Sequence, residues 1–338
     1  ENVAVGASAL DANTTGDQNV AICFEALSAS TTADALTAVG TRALLSNTTG
    51  ANNVAVGRHA LYSNATGGQL TAVGVGAMAL NTASWNTAMG YAALNSNVSG
   101  DSQAAFGASA LSANTTGAGN TALGRDTLGA NTTGSNNTAV GKSALISNTT
   151  GGNNVAVGKD ALDANTVASD NTAVGYNALS SETGGQNNVA IGTNALAAQN
   201  TTSGNNYNTA VGSKAGQAVT TGVENTFIGG LAGDAITTGS NNEAFGYAAL
   251  SSTTTGNNNT ALGTVALLAN TSGSLNVAVG RSALTSSTTA SNNTAVGYNS
   301  LGSNTTGTDN TAVGTGAGAA TTTGTSNAFF GNNSGSSN

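Results

Sequence analysis

Proline is absent from the 338 residues, cysteine and tryptophan occur once each, and only 7% of the chain is charged. Soluble domains on average carry about a quarter charged residues and about 5% proline. Aromatic residues make up 4%, and alanine supplies much of the 38% hydrophobic content, so an ordinary thick core is not available. The length therefore does not translate into two globular domains. A shortage of large apolar residues suits a disordered chain, but disorder also wants high net charge, and −8 is mild. No apolar run approaches the ~20 residues that span a bilayer. A single cysteine, Cys23, excludes an intrachain disulfide and has no metal-ligand spacing around it. With one histidine, His59, there is no Ser-His-Asp or Cys-His set to assemble, and His59 reads as an ordinary surface residue. A pI near 4.3 argues against nucleic acid and against anionic membrane surfaces. The chain starts at Glu1 with no basic-then-apolar leader, which predicts a processed chain or a fragment. No enzyme activity, cofactor or metal is expected.

What the chain has instead is an internal repeat. Units start at Asn2, Asn19, Leu36 and so on to Asn327, giving 20 starts spaced 17 residues apart with two exceptions. The unit from Leu70 is one residue short, and the unit from Asn188 is three residues long. Asn137 to Asn153, NTAVGKSALISNTTGGN, is representative. Numbering each unit from its first residue gives 17 columns. Column one is Asn in 17 of 20 units, column three is nearly always Ala, and column four is always apolar. Column five is Gly except at Cys23, columns eight and nine are usually Ala-Leu, and columns twelve to fifteen are usually Asn-Thr-Thr-Gly.

The short β-branched run ending at column four reads as a strand, the following Gly as a bend, and Asn-Thr-Thr-Gly as turn chemistry. Seventeen residues cannot hold two helices with their loops. The expected fold is all-β: a single β-solenoid or β-roll over 1–338 of about 20 coils, like residues stacking on like. At ~4.7–4.9 Å per coil it would be a rod roughly 90–95 Å long. One Val or Ile from column four, one Leu and some Ala are expected inside. Stability would come from backbone ladders, stacked Asn and close packing of small residues. The Ala and Gly columns either merely fit a narrow coil or permit close approach of another surface, most simply in a symmetric homotrimer. The first unit enters the repeat with no cap, and an open strand edge is a template for end-to-end assembly.

Two places break the grammar together. Column nine becomes Gly at Gly216, Gly233, Gly318 and Gly335, and column three becomes Phe at Phe227 and Phe329. A lost Leu beside an added Phe predicts volume compensation between neighbouring coils. Val219 and Ile236 also replace the usual Asn or Ser of column twelve. These features predict a junction module at 200–241, after the insertion around Thr201–Tyr207, and a capping-like module at 310–338. Phe227, Phe329 and Phe330 are the expected packing residues of these modules.

All seven basic residues fall in columns six and seven: Arg42, Arg58, Arg125, Lys142, Lys159, Lys214 and Arg281. Tyr91, Tyr176, Tyr247 and Tyr298 fall there too. With Asp126 and Asp160 beside Arg125 and Lys159, this ridge is mixed in charge. It is read either as the solvated face that keeps the chain soluble or as a contact face with Tyr and Arg anchors. The GxxxxG spacings follow from the period and lack the Lys-Ser/Thr of a phosphate loop. Acidic residues are too scattered for a calcium-binding β-roll. Sequons recur in column twelve at Asn13, Asn47, Asn114, Asn131, Asn148 and Asn304. The turn accounts for them, although in a glycosylating host they would line one edge. Thr14, Thr48, Thr115, Thr132 and Thr149 form a file that raises an ice-binding solenoid as an alternative. Adjacent Thr residues point to opposite faces, however, which leaves one file per face.

The unit at Asn171–Asn187 and at Asn293–Asp309 resembles repeats of bacteriophage tail fibres and related bacterial surface proteins. It is also similar to the head repeat of trimeric autotransporter adhesins, whose shorter unit carries a comparable Ala-Val/Ile-Gly core. The resemblance covers essentially the whole chain and implies a β-roll, often trimeric, outside the cell or on a virion. It implies an attachment or spacer role and carries over no binding residues. The expected function is thus a structural subunit of an extracellular fibre or filament. Its expected partner is itself, with a cell-surface glycan or receptor as a further candidate. A glycan-binding adhesin using the Tyr/Arg ridge is the alternative.

Overall fold

The computed structural model describes residues 1–336; Ser337 and Asn338, the end of the expected module at 310–338, lie outside the described residues. The fold is all β, as two compact units divided between Asp170 and Asn171, each of them a β-solenoid. The first runs from β1 (Val3–Val5) to β10 (Val155–Val157) and the second from β11 (Thr172–Val174) to β20 (Ala328–Phe330). Each strand has three residues, columns two to four. Within a unit, strands pair in parallel with column on column, as Ala139 with Ala156 and Ala295 with Ala312. Nine coil-to-coil steps of about 4.8 Å carry a ten-coil unit over roughly 43 Å.

Three strand residues in seventeen would be a weak ladder, but the inter-coil bonding continues round the coil. Thr138 N donates to Asn154 O at 2.8 Å and Thr149 N to Thr166 O at 2.8 Å, both toward the following coil. Gly141, Ser143 and Asn153 donate back to Leu123, Arg125 and Ser135 of the preceding one. Left-handed residues recur at columns five, seven, nine and seventeen, as at Gly141 (φ 126), Ser143 (φ 60), Leu145 (φ 52) and Asn153 (φ 58). They swing successive peptides to opposite sides of the coil and so feed both neighbours. Column five demands Gly twice over. Its φ suits glycine, and a Cβ at Gly141 would come within 2.6 Å of Gly158 O.

The interior is narrow and half polar. Ala139, Ala144 and Leu145 are fully buried, and so are Asn137 and Asn148. Each column-one Asn acts as a spare peptide group. Asn137 donates Nδ2 to Gly151 O (2.9 Å), and its Oδ1 accepts from Asn154 N (3.0 Å). Gln103 keeps both roles, donating to Gly117 O and accepting from Asn120 N. Column twelve forms a second amide file, Asn114 to Asn97, Asn131 to Asn114 and Asn148 to Asn131, at 2.8 Å per step.

Column four corrects the expected interior. Val140 is half-buried and faces outward, and Val56 is 36% exposed. Because strand residues alternate faces, placing the column-three Ala inside puts columns two and four outside. The coil has room for Ala, not Val, opposite the column-nine Leu. The Phe modules prove that opposition. A Cβ on Gly216 would lie 2.7 Å from the Phe227 ring, and one on Gly233 would lie 2.5 Å from it. One buried Phe therefore occupies the space of two missing leucines, as the volume argument predicts. Phe329 repeats the arrangement against Gly318 at 2.6 Å and against Gly335. Phe330 does not pack with it: it stands in column four and is 68% exposed.

The long unit is held by a residue that sequence reasoning passed over. Glu182 replaces the column-twelve Asn one coil before the insertion and is fully buried. Its carboxylate accepts from the N–H groups of Gly184 (3.1 Å), Gly185 (2.7 Å) and Thr201 (3.1 Å). Thr183 N (3.0 Å), Thr201 Oγ1 (3.2 Å), Gln199 Nε2 (3.0 Å) and Asn206 Nδ2 (3.3 Å) donate to it as well. The available signal was a lone acidic residue in an amide column, directly before the only lengthened unit.

Candidate interaction surface

Three outward features follow from this architecture. The first is the strand face. Column four is apolar in every coil, including Met89, Phe106 and Leu123 in the first unit and Ile228, Phe245 and Leu262 in the second. Met89 is 47% exposed and Leu262 47% exposed. Column two beside it is almost wholly Thr, Val or Ala, with Glu243 its one charge. A face three residues wide along ten strands has a flat footprint of roughly 430 Å² per unit, before side-chain relief. Column four supplies the apolar strip of that footprint, beside a column two in which Thr predominates. The alternation rule could have revealed this face. Once the all-but-invariant Ala column is assigned to the interior, its apolar neighbours must point out.

The second feature is the expected ridge of columns six and seven. Arg58, Tyr91, Arg125, Lys142 and Lys159 are exposed in the first unit, as are Tyr176, Lys214, Tyr247, Arg281 and Tyr298 in the second. Arg42 alone is half-buried, with its Nε donating to Glu25 at 2.7 Å and its guanidinium 5.9 Å from the Phe24 ring. Arg125 pairs with Asp126 at 2.9 Å, and Lys159 with Asp160. The ridge residues run along columns six and seven within each unit, but the ion pairs cancel part of the positive charge. His59 lies edge-on to Tyr62, with ring centroids 5.1 Å apart.

No protein-family model and no curated protein matches this chain.

The third feature is an open groove of about 450 Å³ in the second unit, lined by Asn177, Ser180, Ala197, Ala198, Gln217 and Asp234. It follows columns ten and eleven, where small residues leave the surface low. Burial raises the Asp234 carboxyl above its ordinary value, and one of its oxygens has no hydrogen-bond partner among the described residues. Asp163, in the same column of the first unit, is raised by burial and by the charge of Asp160. The column-thirteen Thr file is not free for a ligand. Thr115, Thr132 and Thr149 donate their hydroxyls to the next coil's backbone at 3.0, 3.0 and 2.9 Å. Among the described residues no helix is long and apolar enough to cross a membrane.

Proposed function

We propose that this chain is a non-enzymatic structural subunit of an extracellular fibre or filament, on a cell surface or virion. In this reading it associates with copies of itself through the strand face. The uncovered file of column four carries the proposal. Rows of Val, Ile, Leu and Phe repeating at ~4.8 Å offer nothing to an ion or a phosphate, and they match another such row in spacing and chemistry. Sheet faces pack about 10 Å apart with interdigitated side chains. A standard interface buries about 800 Å² per partner, and each unit contributes one apolar face toward it. The likeness of the unit to tail-fibre and adhesin-head repeats supports the same role.

Light scattering with negative-stain imaging tests this. The expected particle contains several 32.3 kDa chains: three for a homotrimer, many for a filament. Val140→Lys with Val157→Lys should reduce it to single chains with an unchanged β-sheet circular dichroism spectrum. A wild-type chain that stays at 32.3 kDa at high concentration overturns the proposal.

The exposure of Tyr176, Tyr247 and Tyr298, at 49, 58 and 54%, favours a second use of the same subunit as a glycan-binding adhesin. Each ring offers an apolar face and a polar tip to a sugar. Tyr176→Ala with Tyr298→Ala should then abolish glycan-array binding and leave assembly intact.

A further inference from the structure

The fold separates the N-x-Ser/Thr sequons into two groups that composition alone does not distinguish. In column twelve the acceptor Asn is interior. Asn47, Asn64, Asn97, Asn114, Asn131 and Asn148 of the first unit are fully buried, as are Asn270 and Asn304 of the second; Asn13, in the first coil, is half-buried. Both Nδ2 hydrogens are committed in Asn64, Asn97, Asn114, Asn131, Asn148 and Asn270, while Asn13, Asn47 and Asn304 commit one to the glycine carbonyl three residues on. Asn131 Nδ2 donates to Asn114 Oδ1 at 2.8 Å and to Gly134 O at 3.0 Å, and Asn148 repeats the pattern with Asn131 and Gly151. The other sequons are exposed: Asn136, Asn258 and Asn292 in column seventeen, Asn200 on the insertion and Asn332 in the last coil.

N-linked glycosylation joins Asn Nδ2 to C1 of a sugar carried on a polyprenyl diphosphate. The C1–O bond to the diphosphate breaks, the polyprenyl diphosphate leaves, and Nδ2 gives up one proton. The product has one N–H where six of these Asn use two, and its sugar occupies space filled by the neighbouring coils. Transfer to a chain still unfolded sees only the sequence, so it does not spare the interior acceptors.

We infer that glycosylation of column twelve and folding are mutually exclusive in this protein, and that N-linked sugar is compatible with the fold only at the exposed sequons. The chain is therefore suited to a synthesis route without N-x-Ser/Thr transfer. The third residue of each column-twelve sequon stands in column fourteen and is exposed, as Thr116, Thr133 and Thr150 are. The sequons can thus be removed without touching the buried amides.

The test secretes the full chain from a glycosylating eukaryotic cell line, with and without an inhibitor of lipid-linked oligosaccharide synthesis. A second chain carries Ala at column fourteen of every column-twelve sequon, T116A, T133A and T150A among them. The parent should give at least tenfold more protease-resistant protein with the inhibitor than without. The variant should fold under both conditions and, without inhibitor, carry sugar at Asn136, Asn258 or Asn292 by peptide mass mapping. Folded parent bearing sugar on Asn114, Asn131 or Asn148 overturns the inference. So does equal folded yield of the parent in both conditions, a variant that still needs the inhibitor, or folded variant with no sugar at any exposed sequon.

Discussion

Column nine asks a leucine to hold a conformation that suits glycine. A left-handed L-residue costs roughly 1–2 kcal/mol, while full burial of a Leu returns roughly 1.5–3 kcal/mol. Burial therefore at least balances the strain where the interior is open, as at Leu145 (φ 52), whereas Gly216 (φ 58) stands where the Phe227 ring fills that space. Leu145→Ala keeps the strain and loses about 2–5 kcal/mol of packing. Leu145→Gly relieves the strain, so its urea midpoint should equal or exceed that of the Ala variant, reversing the usual order. Cys23, the one non-glycine in column five, sits at φ 99, and Cys23→Gly should raise the unfolding free energy by about 1 kcal/mol. Asp234 supplies a pH dependence. Burial raises its pKa in the folded state, so the folded chain holds the proton more tightly than the unfolded one, whose value is about 3.9. Its stabilising contribution is complete below that pH and is lost as pH rises through the folded pKa. Asp234→Asn should therefore raise the thermal midpoint at pH 7 and leave it little changed at pH 3.

At the scale of the coil, the Phe module is a unit of exchange. Phe227 is buried against Gly216 and Gly233, so Phe227→Ala opens a cavity shared by two coils and should cost about 3–5 kcal/mol. Adding Gly216→Leu and Gly233→Leu rebuilds the ordinary Ala-and-Leu coil and should restore most of the loss. Denaturation of the wild type, Phe227→Ala and the triple variant reads the coupling directly. No recovery in the triple variant would mean that the three residues do not share one space. Glu182 acts on the neighbouring coils in a different way, by satisfying buried N–H groups left by the insertion. Each donor left unpaired costs about 1–3 kcal/mol. Glu182→Ala should make the segment around Thr201–Tyr207 cleavable by protease at concentrations that spare the wild type.

At the scale of the molecule, no coil has a core of its own, and stability is a sum over contacts with neighbouring coils. The strand face is then left over after the interior has been built. Association through it should be hydrophobic in character. Mass measured by light scattering should hold or rise in molar sulfate, which strengthens apolar burial. Assembly through the ion-paired ridge would instead weaken as salt rises, because exposed charges are screened over about 3 Å at 1 M ionic strength.

The 17-residue spacing, the turn chemistry and the all-but-invariant Gly and Ala columns were enough to read an all-β solenoid and the pairing of lost Leu with added Phe. They were enough because a period repeated twenty times leaves only stacking as a way to satisfy each coil. The ridge residues from Arg58 to Tyr298 were legible for the same reason, since variable and charged columns in such a chain belong outside. The direction of column four was legible only by alternation from an interior Ala column. Hydrophobicity argued that Val140 and Phe330 face inward, yet a strand of three residues admits only one inward position, and Ala is what fits opposite Leu. Nor did the sequence distinguish the interior Asn of column twelve from the exposed Asn of column seventeen. Both are turn residues by type, and only coil closure decides which amide replaces a backbone hydrogen bond and which meets solvent.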